Sequence, residues 1–181
     1  KQEDWHKGED SYRGDDGPVT INNGNDRTYN PLYNAFIEAG EQAGYGKTED
    51  YNGYRQEGFG PMHMNVKNGV RWSTANAYLR PAMGRENLKI MTHVMVDKLA
   101  MDGNKATGVE FSRKGKKQSV TANREVILCA GSIGSPTILQ RSGIGPANVL
   151  KRAGVAVVHD SPGVGANLQD HLEVYFQFKC T

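Results

Sequence analysis

Residues Glu125 to Gly145 read EVILCAGSIGSPTILQRSGIG, and the fold class of the chain turns on this run. Val126-Ile127-Leu128-Cys129 is an unbroken apolar stretch of the length of a buried strand. Ala130-Gly131-Ser132 then strips away side-chain bulk where that strand ends, so another backbone or a cofactor can come close. Ser135 is a good helix N-cap, Pro136 suits the first helical position, and Gly143 can close the helix in a left-handed conformation. The spacing therefore predicts a strand, a tight small-residue turn and a short helix. That is the layout of one wall of a nucleotide-cofactor site, and equally of an ordinary strand-turn-helix in a mixed fold.

Working outward, the pattern alternates short elements with turns. Helical spacing of Leu32, Phe36, Ala39 and Ala43 predicts a helix capped at Asn30 and ended at Gly44. Residues 58–66 look extended, and Asn68-Gly69 signals a hairpin returning through Val70 and Trp72. Ser73 is expected to cap a second helix carrying Ala77, Tyr78 and Leu79, disturbed at its end by Pro81. Four short strands are expected over residues 88–92, 94–101, 106–112 and 118–122, with the clearest turn at Asp102-Gly103-Asn104. After Gly145 come a short helix over 146–152, ended by Gly154, and strands over 155–158 and 172–179. In the last of these Leu172, Val174, Phe176 and Phe178 alternate with Glu173, Tyr175, Gln177 and Lys179. One face is apolar; the other carries a carboxylate and a phenol.

Composition narrows the function classes. At 181 residues the chain can bury a proper core, and 37% hydrophobic with 23% charged residues is a globular balance. A formal net charge of +2 makes no case for nucleic acid as a partner. The one basic cluster, Arg113, Lys114, Lys116 and Lys117 around Gly115, fits the solvated tip of a hairpin. Two cysteines make no disulfide framework and favour a reducing compartment; Cys129 is expected to be a small buried hydrophobe, whereas the pairing of Cys180 stays open. Met62, Met64, Met91, Met95 and Met101 are expected as core filler. Residues 1–16 form a polar segment, disordered or extended. No apolar run approaches a membrane span and no secretory signal is visible.

Two glycine pairs invite over-reading. Gly143-Ile144-Gly145 and Gly163-Val164-Gly165 each begin like a dinucleotide fingerprint, but neither gains the third glycine, and the first follows a helix rather than a strand. The polar cluster of Asn167, Gln169, Asp170 and His171 offers either an acid-base pair or side chains that tie a turn to its neighbours. It lacks a third ligand of useful spacing for a metal. His6, His63, His93 and His159 are scattered and read as surface or structural.

Taken together, GSIGSPTILQRSGIG (Gly131–Gly145) and PGVGANLQDH (Pro162–His171) resemble two segments of the glucose–methanol–choline (GMC) family of flavin oxidoreductases. Asn52-Gly53-Tyr54-Arg55-Gln56-Glu57-Gly58-Phe59-Gly60-Pro61-Met62 is similar to a segment of its choline-oxidising members. So are Ser73-Thr74-Ala75 with Tyr78-Leu79, and Asp170-His171-Leu172-Glu173. The resemblance runs from about Gly17 to Thr181.

It implies a mixed α/β, or α+β, piece of a longer enzyme, as a first residue Lys1 and an end just after a strand-like run also suggest. Residues 17–86 would belong to the substrate-binding domain. Residues 87–170 would supply part of the FAD-binding domain, a small antiparallel meander plus the strand-turn-helix. Residues 171–181 would return to the substrate-domain sheet. The implied cofactor is FAD, its phosphate loop lying upstream of Lys1. Val96 would touch its adenine end through the backbone, with Ala130 and Gly131 on the same side. Asn167, Asp170 and His171 would stand beside the isoalloxazine ring. No catalytic base is implied within the chain, because the family's base is a histidine beyond Thr181.

Glu173 occupies the place of a glutamate that pairs with a trimethylammonium group, although Leu172 stands where some relatives have proline. Tyr175 on the same strand face would add an aromatic ring. The implied reaction is oxidation of choline to betaine aldehyde by hydride transfer to FAD, a step of glycine betaine synthesis. Two alternatives remain: a GMC enzyme for another alcohol, or an isolated folded domain without activity. The implied location is the cytoplasm or the periphery of the inner membrane. The resemblance implies no particular electron acceptor.

Overall fold

A computed structural model describes residues 2–7, 10–22, 31–177 and 179. It divides into two compact units, Lys1–Lys89 and Ile90–Thr181.

In the first unit the polar N-terminal segment is ordered around one aromatic residue. Strand β1 (Glu3–Trp5) pairs in parallel with β2 (Val19–Ile21), and Trp5 is buried. Of the two expectations for this segment, disordered or extended, Glu3–Trp5 takes the extended one, with Trp5 buried. Gly17 permits the pairing: a Cβ at this position would stand 2.2 Å from the carbonyl carbon of Gln2. Helix α1 spans Pro31–Gln42, and Gly44 follows it at φ +88°. Its expected cap, Asn30, lies outside the described residues. Phe59 lies against Gly40 of this helix, where a Cβ would come within 2.5 Å of the ring, with Phe36 and Tyr45 flanking it. The expected hairpin is present as β3 (Val66–Lys67) and β4 (Val70–Arg71), with Asn68 and Gly69 both left-handed.

The second helix of this unit departs from expectation. A π-helical turn, Ala75–Leu79, leads into the short helix α2, Arg80–Ala82. Arg80 N–H donates to Ala75 O, five residues back, just before Pro81, which has no N–H to continue the ladder. Ser73 contributes its carbonyl, which accepts from Asn76 and Ala77, rather than a side-chain cap.

The second unit is built on a three-stranded antiparallel meander. Its strands are β5 (Met95–Asp102), β6 (Lys105–Arg113) and β7 (Lys116–Thr121). The turns fall where the sequence puts them, at Gly103-Asn104 and at Lys114-Gly115, the latter pair with φ values of +50° and +74°. The basic cluster is therefore a hairpin tip. Residues 88–92 form no strand, because His93 at φ +55° turns the chain just before β5 and leaves them no paired neighbour.

Helix α3 spans Gly131–Arg141 and packs against β5. It begins five residues earlier than a cap at Ser135 and a first helical residue at Pro136 suggest. Gly131, at φ +81°, turns the chain straight into the helix, and Ser135 Oγ accepts from Ala130 N–H at 3.0 Å. Pro136 is thus inside the helix, where it has no N–H to offer the carbonyl one turn back. Ser142, at the helix's end, is buried and makes two bonds. Its Oγ accepts from Leu99 N–H of β5 at 2.8 Å and donates to Ile138 O at 2.6 Å. Ser142→Ala should leave the Leu99 N–H buried and unpaired, at a cost of about 1–3 kcal/mol, read as a lowered denaturation midpoint.

Next come β8 (Ile144–Gly145), helix α4 (Ala147–Arg152) and β9 (His159–Asp160), which pairs in parallel with β8. Asp160 caps α4 by accepting from Ala147 N–H at 2.9 Å, and Leu150 is 1% exposed beneath it. The strand expected over 155–158 is displaced to His159–Asp160. Gly143 sets this register: its carbonyl accepts from both Val158 and His159, and a Cβ there would meet Ala156 O at 2.5 Å.

Two apolar runs are not strands. Residues 125–129 belong to no strand, Ile127 is 73% exposed and Cys129 is exposed. Residues 172–177 are likewise unpaired and exposed, while Phe178 and Cys180 lie outside the described residues. A run of apolar residues becomes a buried strand only when neighbours flank it, and no described residue pairs with either. The methionine expectation fails similarly: Met62, Met64, Met91 and Met95 are exposed and Met101 only half-buried. No helix among the described residues is long and apolar enough to cross a membrane.

Candidate functional site

The two diagnostic runs meet in the second unit. Gln140, on α3, donates its Nε2 amide to Val164 O at 3.1 Å. Gly165, at φ +80°, leaves room for it, since a Cβ there would come within 2.7 Å of that nitrogen. The start of the Pro162–His171 run is therefore laid against the helix that Gly131 opens. Ala130 and Gly131 are exposed at the head of α3, with open space where a Gly131 Cβ would be. Val96 is half-buried in β5, the edge strand of the meander, opposite Phe111.

Farther along, Asn167 is exposed and left-handed at φ +56°. Asp170 Oδ1 accepts the N–H of His171 at 2.9 Å, so the pair is a local turn bond rather than an imidazole–carboxylate dyad. Beyond it, the Tyr175 hydroxyl donates to Glu173 Oε2. The carboxylate accepting that proton raises the Tyr175 pKa above the ordinary phenol value. Glu173 and Tyr175 are thus brought together, while Val96 lies on β5 and Ala130 and Gly131 at the head of α3. A cavity of about 360 Å³ lined by Asp97, Phe111, Lys117 and Arg141 contains none of these residues. Among the described residues no group of three or more His, Cys, Asp or Glu side chains is arranged to hold a metal.

The first unit holds a polar cluster that the scattered histidines did not foretell. Arg13, 6% exposed, pairs with Glu3 at 3.0 Å and with Asp50 at 3.0 Å, and its guanidinium lies 4.1 Å from the centre of the Trp5 ring. His63 joins it through Nδ1, 3.3 Å from Arg13 Nη2 and 3.1 Å from Asn52 Nδ2. Fifty residues separate Arg13 from His63. No local spacing could have shown the pair.

A left-handed glycine thus stands at the head of α3, and a second glycine-bearing turn is laid on that helix. Residues 4–173 match the GMC oxidoreductase family, and the chain belongs to it. Over 180 residues it is 63% identical to the oxygen-dependent choline dehydrogenase of Photobacterium profundum, covering 99% of this chain and 32% of the relative. To the protein of that name from Escherichia coli (strain UMN026) it is 52% identical over 183 residues, covering 99% and 33%. The chain thus spans about a third of the length of the curated relatives it matches. Among solved structures, pyridoxine 4-oxidase from Mesorbium loti aligns with a TM-score of 0.82 at 38% identity, over 88% of this chain and 31% of that one. An FAD-dependent oxidoreductase from Chaetomium thermophilum aligns at 0.81 and 26% identity, over 90% and 30%.

Proposed function

We propose that this chain is part of an FAD-dependent enzyme that oxidises choline to betaine aldehyde, and that Glu173 and Tyr175 receive the cationic end of the substrate. The observation that carries the reading is the 63% identity to a choline dehydrogenase across 180 residues, a span that includes Glu173. The chemistry supports it. A quaternary ammonium has no hydrogen to donate, so a carboxylate and an aromatic ring are the groups that can hold it. Tyr175 donates to Glu173 and keeps the carboxylate from turning away, while its ring stays beside it.

The residues present fit one wall of a flavin site. Open space over Gly131, the exposed Ala130 and the edge position of β5 let a flat cofactor lie close to Val96, Ala130 and Gly131. Asn167, Asp170 and His171 would stand nearer its redox end. FAD supplies the electron acceptor for the alcohol when bound. This chain's residues bind, orient and exclude water; the proton of the alcohol passes to a base outside these residues. Residues 17–86 and 171–181 are assigned to the substrate-binding domain and 87–170 to the FAD-binding domain.

The test is turnover by the full-length enzyme on choline and on 3,3-dimethylbutan-1-ol, its uncharged isostere. A choline kcat/KM at least about tenfold higher supports a built cation site. Equal values would favour a GMC enzyme for another alcohol.

A further inference from the structure

The cluster around Arg13 has the geometry of an acid-sensitive fastening. Trp5 N–H donates to Gly14 O at 2.9 Å and Gly17 N–H to Glu3 O at 2.8 Å, so β1 and the turn after it are tied to each other. Arg13 ties both to the rest of the unit. It holds Glu3 on one side and Asp50 on the other, and Gly14 N–H donates to Glu3 Oε1 at 3.2 Å. Asp50 is committed as well: its Oδ1 accepts from Asn52 N–H at 2.9 Å while Oδ2 faces Arg13.

His63 completes the ring of contacts. Arg13 Nη2 can only donate, so His63 Nδ1 must accept, and the Asn52 amide donates to the same nitrogen. The imidazole is therefore neutral with its proton on Nε2. That nitrogen is buried without a hydrogen-bond partner among the described residues, and the side chain is only 3% exposed. Tyr51 stacks on the ring at 4.3 Å, Trp5 lies at 4.6 Å, and the Tyr51 hydroxyl accepts from His63 N–H.

We propose that neutral His63 latches the N-terminal strand to the 50–63 loop through Arg13, and that a proton arriving at Nδ1 releases it. Protonation turns the acceptor into a donor aimed at two donors and puts a second positive charge 3.3 Å from the guanidinium. The other N–H would still face no partner. Among the described residues Asp50 Oδ1, 3.5 Å away, is the one group that would welcome the proton, but Arg13 already engages its carboxylate. Lys7 and His6 add positive charge nearby, and burial lowers the His63 pKa further. Burial acts first and the Asp50 charge opposes it.

With the folded-state pKa below the ordinary 6.5, the unfolded chain takes up the proton first as pH falls. The latch contributes fully above about 6.5 and is lost as pH drops below it toward the lowered value. His6 lies edge-on to Trp5 and also titrates below its ordinary value. A variant that alters His63 and keeps His6 separates the two.

The experiment is hydrogen exchange in the full-length protein, comparing wild type with His63→Asn. The asparagine carbonyl can stand near Nδ1 and accept from Arg13, but cannot titrate. Relative to intrinsic exchange rates, protection at the Trp5 and Gly17 amides should fall about tenfold or more in wild type between about pH 7.5 and pH 5. In His63→Asn it should stay constant within about twofold. An equal fall in the variant, or no fall in wild type, overturns the latch. Histidine-selective ¹⁵N labelling of wild type needs no variant at all: a neutral, Nε2-protonated ring is expected at about pH 7.5. An Nδ1-protonated ring or an imidazolium there overturns it equally.

Discussion

Glu173→Gln in the full-length enzyme should raise KM for choline by about tenfold or more while leaving kcat nearly unchanged. The substitution keeps the size and hydrogen-bonding capacity of the side chain and removes only its charge. The amide oxygen can still accept the Tyr175 hydroxyl, so the local arrangement survives. What it loses is the attraction for a fixed positive charge that cannot be satisfied by hydrogen bonding. An ammonium group that keeps its charge throughout the oxidation would be held equally in the ground and transition states, so the loss would belong in KM. The same variant should bind 3,3-dimethylbutan-1-ol as the wild type does. Parallel losses for both alcohols would mean that Glu173 supports the fold of the segment rather than the substrate.

Arg13→Met should lower stability by about 2–4 kcal/mol, measured as a shift in the denaturation midpoint. Methionine fills much of the volume and can still lie on Trp5. It leaves the Glu3 and Asp50 carboxylates, with side chains 20% and 19% exposed, without their cation. Stranding one partner of a buried pair costs about 3–5 kcal/mol, and the water that reaches these carboxylates reduces the figure. A midpoint within experimental error of wild type would show that the ion pairs contribute nothing net. Arg13→Lys should recover only part of the loss, because a single ammonium cannot face Glu3 and Asp50 from two sides of a planar fork.

Local chemistry was legible wherever a turn dictated it. Asn68-Gly69, Gly103-Asn104 and Lys114-Gly115 close hairpins at the places their composition indicates. Helix ends at Gly44, Gly143 and Gly154 follow the same rule, each at positive φ. These features depend on a few adjacent residues, so adjacent residues reveal them. Apolar runs were less faithful. Val126–Cys129 and the alternating segment from Leu172 carry the patterns of buried strands, yet a pattern states only which surface wants covering. Whether it is covered depends on neighbours that such a run does not contain.

The candidate site shows the same division. Gly131, Gly143 and Gly165 could be picked out from spacing and resemblance, because their left-handed backbone, at φ +81°, +84° and +80°, favours glycine; the Asp170–Glu173 run was picked out by resemblance. The link from Gln140 to Val164 could not, since an amide on one helix face has no local reason to seek that carbonyl. The Ser142 bond to Leu99 spans 43 residues and was equally hidden.

By itself, then, the sequence determined the family and the turns, because each rests on residue types in short fixed order. Tertiary structure alone decided that a polar N-terminal segment is anchored, and that His63 is a buried neutral acceptor rather than a surface histidine. The physical reason is distance along the chain. Charge pairing and desolvation act between groups that only folding brings within about 3–4 Å, and Arg13 finds Asp50 and His63 in no other way.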